Sequence, residues 1–198
     1  MPTLCFGGTF NPIHNGHVVC AQAVAAQCGY DRILLIPSAQ PPHKDTAELA
    51  SAQNRLAMCR LAIAAIPEGD KLFSVSDIET RRPGPSYTLD TARQLRAQGV
   101  LQVNWLIGAD MLMYLPKWHQ PLELLNEVNF VIMARPGWTI DWAKLPGEYQ
   151  QLKSHLVETP LIEISSSDIR RRVRAGLPID SLVPTGVSQY ISRHNLYL

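Results

Sequence analysis

The chain has 198 residues, 46% of them hydrophobic, with 18 basic side chains against 17 acidic ones and a formal net charge of +1. That length suits one domain with a sizeable core, here residues 1–198, and the apolar content excludes a disordered chain. The near-zero net charge removes any bulk argument for a nucleic-acid polymer or a membrane surface as partner, while leaving room for a local basic site for a small anion.

Apolar runs alternate with segments of helical character. Thr3–Phe6 reads as a short buried strand. Asn15–Cys28 is rich in Ala and Val and stops at Gly29, which predicts a helix. Arg32–Ile36 is a second buried strand ending at Pro37, and Ser51–Ile66 a helix closed before Pro67. Leu72–Val75 is a short strand, Ser86–Gln98 a helix with Gly99 beyond its end, Gln102–Gly108 a strand, and Val128–Ala134 another. Residues 138–160 read as a loop with at most a short helix. A short strand at Leu161–Ile164, a helix from Ser165 and a last helix with Pro184 in its first turn complete the chain. Alternating strand and helix predicts an α/β fold, a Rossmann-like doubly wound parallel sheet with helices on both faces and a small helical C-terminal part. Such sheets bind ligands beyond the carboxyl ends of their strands.

No basic segment precedes a long apolar run, and no stretch of about eighteen apolar residues exists. This predicts a cytoplasmic protein without signal peptide or membrane span. Cys5, Cys20, Cys28 and Cys59 form no Cys-x-x-Cys pair, so they read as reduced core thiols, not as a metal site.

The loop after the first strand reads Gly7-Gly8-Thr9-Phe10-Asn11-Pro12-Ile13-His14-Asn15-Gly16-His17. Its glycines let backbone N–H groups approach a phosphate. His14 and His17, three apart at a helix start, can present both rings to one side and donate to phosphate oxygens beside the positive helix end. Neither the G-x-G-x-x-G fingerprint nor a P-loop is present. Far along the chain, Ile164-Ser165-Ser166-Ser167-Asp168-Ile169-Arg170 puts three hydroxyls at a capped helix start, a second anion site. Arg170, one turn in, can reach back to a phosphate as a charged fork.

Together these two segments resemble the H-x-G-H nucleotidylyltransferase superfamily, in its G-x-x-x-P-x-H-x-G-H and I-S-x-T-x-I-R motifs. Family members carry Asp where this chain has Asn11, and Thr where it has Ser167. The resemblance implies that the first motif holds the triphosphate and stabilises the transition state at the α-phosphorus, and that the second holds the β- and γ-phosphates of ATP.

The middle of the chain bears on the acceptor. Pro41-Pro42-His43-Lys44 places a cation after a strand end. Pro85-Ser86-Tyr87-Thr88 offers free backbone N–H groups for a carboxylate and a ring for stacking. Asp110 follows a strand and reads either as a ribose ligand or as a helix cap; Trp118 reads either as core or as a base contact. In this order, with Arg135-Pro136-Gly137, these landmarks resemble the bacterial nicotinate-nucleotide adenylyltransferases. That likeness implies ATP binding by Gly7, Gly8, Thr9, Phe10, His14, His17, Gly108, Asp110, Ser165, Ser167 and Arg170, with His14, His17 and Arg170 catalytic. It implies mononucleotide binding by Lys44, Tyr87, Thr88, Asp110, Trp118 and Arg135, and Mg²⁺ entering on the substrate phosphates. The expected reaction is adenylyl transfer from ATP to nicotinate mononucleotide in NAD biosynthesis. The rival readings are the same chemistry on another phosphomonoester such as phosphopantetheine, and a non-catalytic nucleotide-binding module.

Overall fold

The computed structural model describes residues 1–42, 48–134, 137 and 139–198. Six strands form one all-parallel sheet: β1 (Thr3–Gly8), β2 (Arg32–Pro37), β3 (Phe73–Val75), β4 (Asn104–Gly108), β5 (Asn129–Ala134) and β6 (Leu156–Glu158), in the order β3-β2-β1-β4-β5-β6. This is the doubly wound order, with its reversal between β1 and β4.

Strand side chains alternate between two cores, as the pleat requires. Leu4, Phe6, Ile33, Leu35, Leu106 and Val131 face one cluster; Cys5, Ile36, Trp105, Ile107, Phe130 and Ile132 face the other. The first is covered by α1 (Asn15–Cys28), α2 (Ala52–Ala64), α7 (Ser166–Arg174) and α8 (Thr185–Arg193), the second by α4 (Thr88–Ala97) and α6 (Pro121–Glu127). Two one-turn helices, α3 (Gly69–Leu72) and α5 (Ala109–Leu112), complete the set. Helix α1 has the predicted bounds because Gly29 takes a left-handed φ of 70° and its N–H caps Ala25.

Three expectations are corrected. The sixth strand is Leu156–Glu158, inside the stretch read as a loop, and Leu161–Ile164 is not a strand. The alternation of β6 is weak, and it is defined by pairing Ile132 with Leu156 and Ala134 with Glu158. Pro184 caps α8 from outside instead of entering its first turn. Of the cysteines, only Cys5 and Cys59 lie in the core; Cys20 is half-buried and Cys28 exposed.

The β1–β4 ladder is short, with Leu4 opposite Asn104 and Cys5 opposite Trp105. Beyond it both strands run on, to Gly8 and Gly108. The crevice between these carboxyl ends is where the sheet topology directs a ligand.

Candidate active site

The loop leaving β1 turns sharply. Phe10 adopts a left-handed φ of 45°, and the Asn11–Pro12 peptide is cis. The buried Phe10 ring meets Phe6 edge-on at 5.3 Å and His17 edge-on at 5.2 Å. His14 caps α1, and its ring stacks on that of His17 with centroids 3.6 Å apart. The backbone N–H of His14 donates to Nδ1 of His17 at 3.2 Å. An Nδ1 that accepts leaves the proton of a neutral His17 on Nε2. A Cβ on Gly16 would lie 3.1 Å from Nδ1 of His14, so the glycine between the histidines makes room for the stack.

Gly7 and Gly8 have a packing reason as well. A Cβ on Gly7 would sit 2.2 Å from Cζ2 of the buried Trp105, and one on Gly8 would sit 2.9 Å from Cζ of Phe10. The bare backbone lets two aromatic rings close over the end of β1. The carbonyl of Thr9 accepts from Arg55 Nη1 at 2.7 Å.

The histidine loop and the start of α7 meet in space. Ser165 caps α7 by accepting from the N–H of Asp168 at 3.1 Å. Ser166 Oγ donates to the carbonyl of Pro12 at 2.9 Å, and Arg170 Nη1 to the carbonyl of Asn11 at 3.1 Å. The start of α7 is therefore docked on the loop that carries His14 and His17. Ser167 lies 3.4 Å from Arg170 Nη2. The same nitrogen pairs with Glu48 at 2.9 Å, and Glu48 also takes Arg174 at 3.2 Å. This pairing, the Arg170 hydrogen bond foremost, holds the Glu48 carboxyl below its ordinary range. Arg170 Nε is buried with no hydrogen-bond partner among the described residues.

Asn11 is a buried post, not a surface group aimed at a polyanion. Its Oδ1 accepts from Ala50 N at 3.0 Å and from the Tyr197 hydroxyl at 2.9 Å, while Nδ2 donates to the carbonyl of Glu48 at 2.9 Å. An aspartate has no proton for the last of these bonds.

Across the crevice, Gly108 gives way to α5, which carries the exposed Asp110. A Cβ on Gly108 would lie 2.4 Å from Asp110 Oδ1, so this glycine permits the carboxylate position. Tyr87 caps α4, Thr88 is its first residue, and both are half-buried. Ser86 ties this turn to the loop after β2: its Oγ accepts from Ala39 N at 2.9 Å. The Tyr87 ring stacks on His119 at 4.1 Å, with planes 17° apart. Trp118, the preceding residue, is half-buried against Phe130, and its Nε1 has no partner among the described residues. Lys44 and Arg135 lie outside the described residues.

Sequence reasoning missed several members of this region. His119 was signalled only by its place beside Trp118. Arg55, 1% exposed, donates to the carbonyls of Thr9, Ala39 and Ala50 and so ties the loop after β1 to both ends of the connection between β2 and α2. Its burial lowers the guanidinium pKa from the ordinary range. Its signal was an arginine set among apolar positions of α2. Glu79 is buried and accepts from Thr91 Oγ1 at 2.7 Å, and burial raises its pKa.

Residues 5–172 match the cytidylyltransferase-like family model. A relative from Roseiflexus sp. is 41% identical over 99% of this chain and 98% of its own length, and one from Symbiobacterium thermophilum is 40% identical over 97% and 93%. Both are named "probable nicotinate-nucleotide adenylyltransferase". The fold is that of the Plasmodium falciparum nicotinic acid mononucleotide adenylyltransferase complexed with NaAD, with a TM-score of 0.80 at 21% identity, covering 100% of this chain and 98% of that one. With its two motifs joined at the end of β1, and with relatives of this identity along nearly its whole length, the chain belongs to the cytidylyltransferase-like family and, within it, to the nicotinate-nucleotide adenylyltransferases.

Proposed function

We propose that the protein transfers the adenylyl group of ATP to the phosphate of nicotinate mononucleotide, releasing pyrophosphate and forming nicotinate adenine dinucleotide, a step of NAD biosynthesis. The observation that carries the reading is the docking of the α7 start on the histidine loop, through Ser166 to Pro12 and Arg170 to Asn11. It makes one continuous run of phosphate donors out of two distant segments.

An oxygen of the mononucleotide phosphate attacks the α-phosphorus of ATP, and the bond from that phosphorus to the bridging oxygen breaks in line. No protein nucleophile is required, because the acceptor is already an anion. The protein supplies position and charge complementarity. His17, donating from Nε2, and His14, stacked on it, meet oxygens of the α-phosphate as charge shifts there. Arg170, Ser165 and Ser167 hold the leaving pyrophosphate, with Arg170 exchanging Glu48 for phosphate oxygens. Gly7, Gly8, Thr9, Phe10 and Gly108 shape the ATP side of the crevice, and Asp110 accepts from ribose hydroxyls.

The donors around the phosphate site are imidazoles, hydroxyls and a guanidinium. They fit phosphate oxygens better than a hard cation. Mg²⁺ fits this site as a passenger on ATP, neutralising phosphate charge while keeping most of its water. The family reaction depends on a divalent metal, and Mg²⁺ is the form proposed here.

Tyr87, Thr88 and Trp118 take the pyridine base, with Lys44 and Arg135 assigned to the same substrate. The free N–H groups at the start of α4 suit a carboxylate, which only accepts, better than an amide. We read residues 1–198 as one catalytic domain. Among the described residues no helix is long and apolar enough to cross a membrane; we place the reaction in the cytoplasm.

The test is pyrophosphate release with Mg-ATP, comparing nicotinate mononucleotide, nicotinamide mononucleotide and phosphopantetheine. A kcat/KM for the first far above the others is the expected result. Release with phosphopantetheine alone would overturn the roles given to Tyr87, Thr88 and Trp118.

A further inference from the structure

We propose that Tyr197 is a positioning residue for the triphosphate site, acting through Asn11 on Arg170. This rests on the reading of Arg170 as an ATP ligand.

The segment after α8 folds back toward the loop that follows β1. Tyr197 takes a left-handed φ of 68°, a conformation that a bulky side chain rarely adopts. Something must hold it there. Its ring packs, half-buried, against the core on the α1–α2 side of the sheet, and its hydroxyl donates to Asn11 Oδ1 at 2.9 Å. The strained backbone thus delivers one hydroxyl to one amide oxygen.

That oxygen already accepts from Ala50 N, and the Nδ2 of the same side chain donates to the Glu48 carbonyl. Three partners leave Asn11, 4% exposed, a single amide orientation. The backbone carbonyl of Asn11 is what Arg170 Nη1 binds. The other nitrogen, Nη2, holds Glu48 and Ser167. Glu48 is an exposed partner, so Asn11 is the buried anchor of the fork. Removing the Tyr197 hydroxyl leaves the amide with Ala50 and Glu48 alone, free to rock, and moves the carbonyl that aims Arg170.

Burial raises the Tyr197 phenol above its ordinary range, against the pull of the nearby Arg170 and Arg55 charges. It therefore stays protonated and keeps its donor. An ordinary packing role would need the ring but not the hydroxyl.

The experiment measures Mg-ATP affinity by calorimetry, without acceptor, for the wild-type chain, Tyr197→Phe, Arg170→Ala and the double variant, alongside steady-state kinetics. Tyr197→Phe should weaken ATP binding about 3- to 10-fold, the scale of one hydrogen bond. The KM for nicotinate mononucleotide should stay within about twofold. In the Arg170→Ala background, the tyrosine substitution should cost nothing further, because its path runs through Arg170. Unchanged ATP affinity in Tyr197→Phe overturns the proposal. So does an equal loss with and without Arg170, since that is the mark of general loosening. A wild-type chain that binds ATP but transfers nothing to nicotinate mononucleotide refutes the acceptor reading, and the binding cycle still decides on Tyr197. Absence of ATP binding by the wild-type chain refutes both.

Discussion

Arg170 Nη1 binds the backbone carbonyl of Asn11 at 3.1 Å, across 159 positions of sequence. The guanidinium spends Nη1 on this carbonyl and Nη2 on Glu48 and Ser167, and leaves Nε buried without a partner among the described residues. A lysine keeps the charge but lacks the fork that the proposed reaction needs in order to bind Asn11 and a phosphate at once. Arg170→Lys should therefore lower kcat/KM for ATP by about 10- to 100-fold, the scale of a charge-assisted hydrogen bond. The KM for nicotinate mononucleotide should change by less than about twofold. Equal losses for both substrates would show that Arg170 holds the fold and not the triphosphate.

His17 accepts the His14 N–H through Nδ1, so in a neutral ring Nε2 carries the proton that the proposed reaction assigns to the α-phosphate. Replacing His17 by Ala should cut kcat by about 10²–10³, the cost of one transition-state donor, with little effect on nicotinate mononucleotide binding. Steady-state kinetics on the purified variant decides it. A wild-type kcat would remove His17 from the chemistry.

The sequence carried the parallel sheet because each central strand is an apolar run buried on both faces, and it carried α1 to the residue because Gly29 caps it. The two segments proposed as phosphate sites were legible because their residues are local: glycines and histidines in one, a capped helix start in the other. It did not reveal β6, since Leu156–Glu158 is an edge strand defined by pairing with β5 and not by its own composition. Arg55 was hidden for a related reason. Its partners are backbone carbonyls of Thr9, Ala39 and Ala50, and any residue supplies a carbonyl. Asn11 looked like a phosphate-loop residue until folding brought Ala50, Glu48 and Tyr197 around it.

Gly7 tests how far packing, and not phosphate approach alone, fixes the first motif. Its added Cβ would lie 2.2 Å from Cζ2 of Trp105, a ring buried in the core on the central strand β4. Gly7→Ala should cost about 1–3 kcal/mol by overpacking, a fall in Tm of about 2–12 °C for a chain of this size. Trimming the ring relieves the clash, so Gly7→Ala should add little on top of Trp105→Phe. Thermal unfolding of the two single variants and the double variant reads this out. Additive losses would mean that the glycine serves its backbone freedom and not the indole.

The burial of Glu79 gives the fold a pH dependence. Its carboxyl is buried beneath the start of α4, and desolvation raises its pKa above the ordinary 4.5 against the opposing bonds from Thr91 and Ser86 and the charges of Arg82 and Arg55. The native state therefore holds this proton more tightly than the unfolded chain does. Above the raised value the burial penalty is fully present. As pH falls through that value toward 4.5, the native state takes up the proton first and the penalty is relieved. Glu79→Gln carries no charge at any pH and loses this dependence, while its carbonyl still accepts from Thr91. Urea unfolding at several pH values from neutral down toward 4.5 should show the wild-type chain gaining stability relative to Glu79→Gln as the pH drops. The opposite slope would mean that Arg82 and Arg55 outweigh burial and that Glu79 is held as a native-state anion.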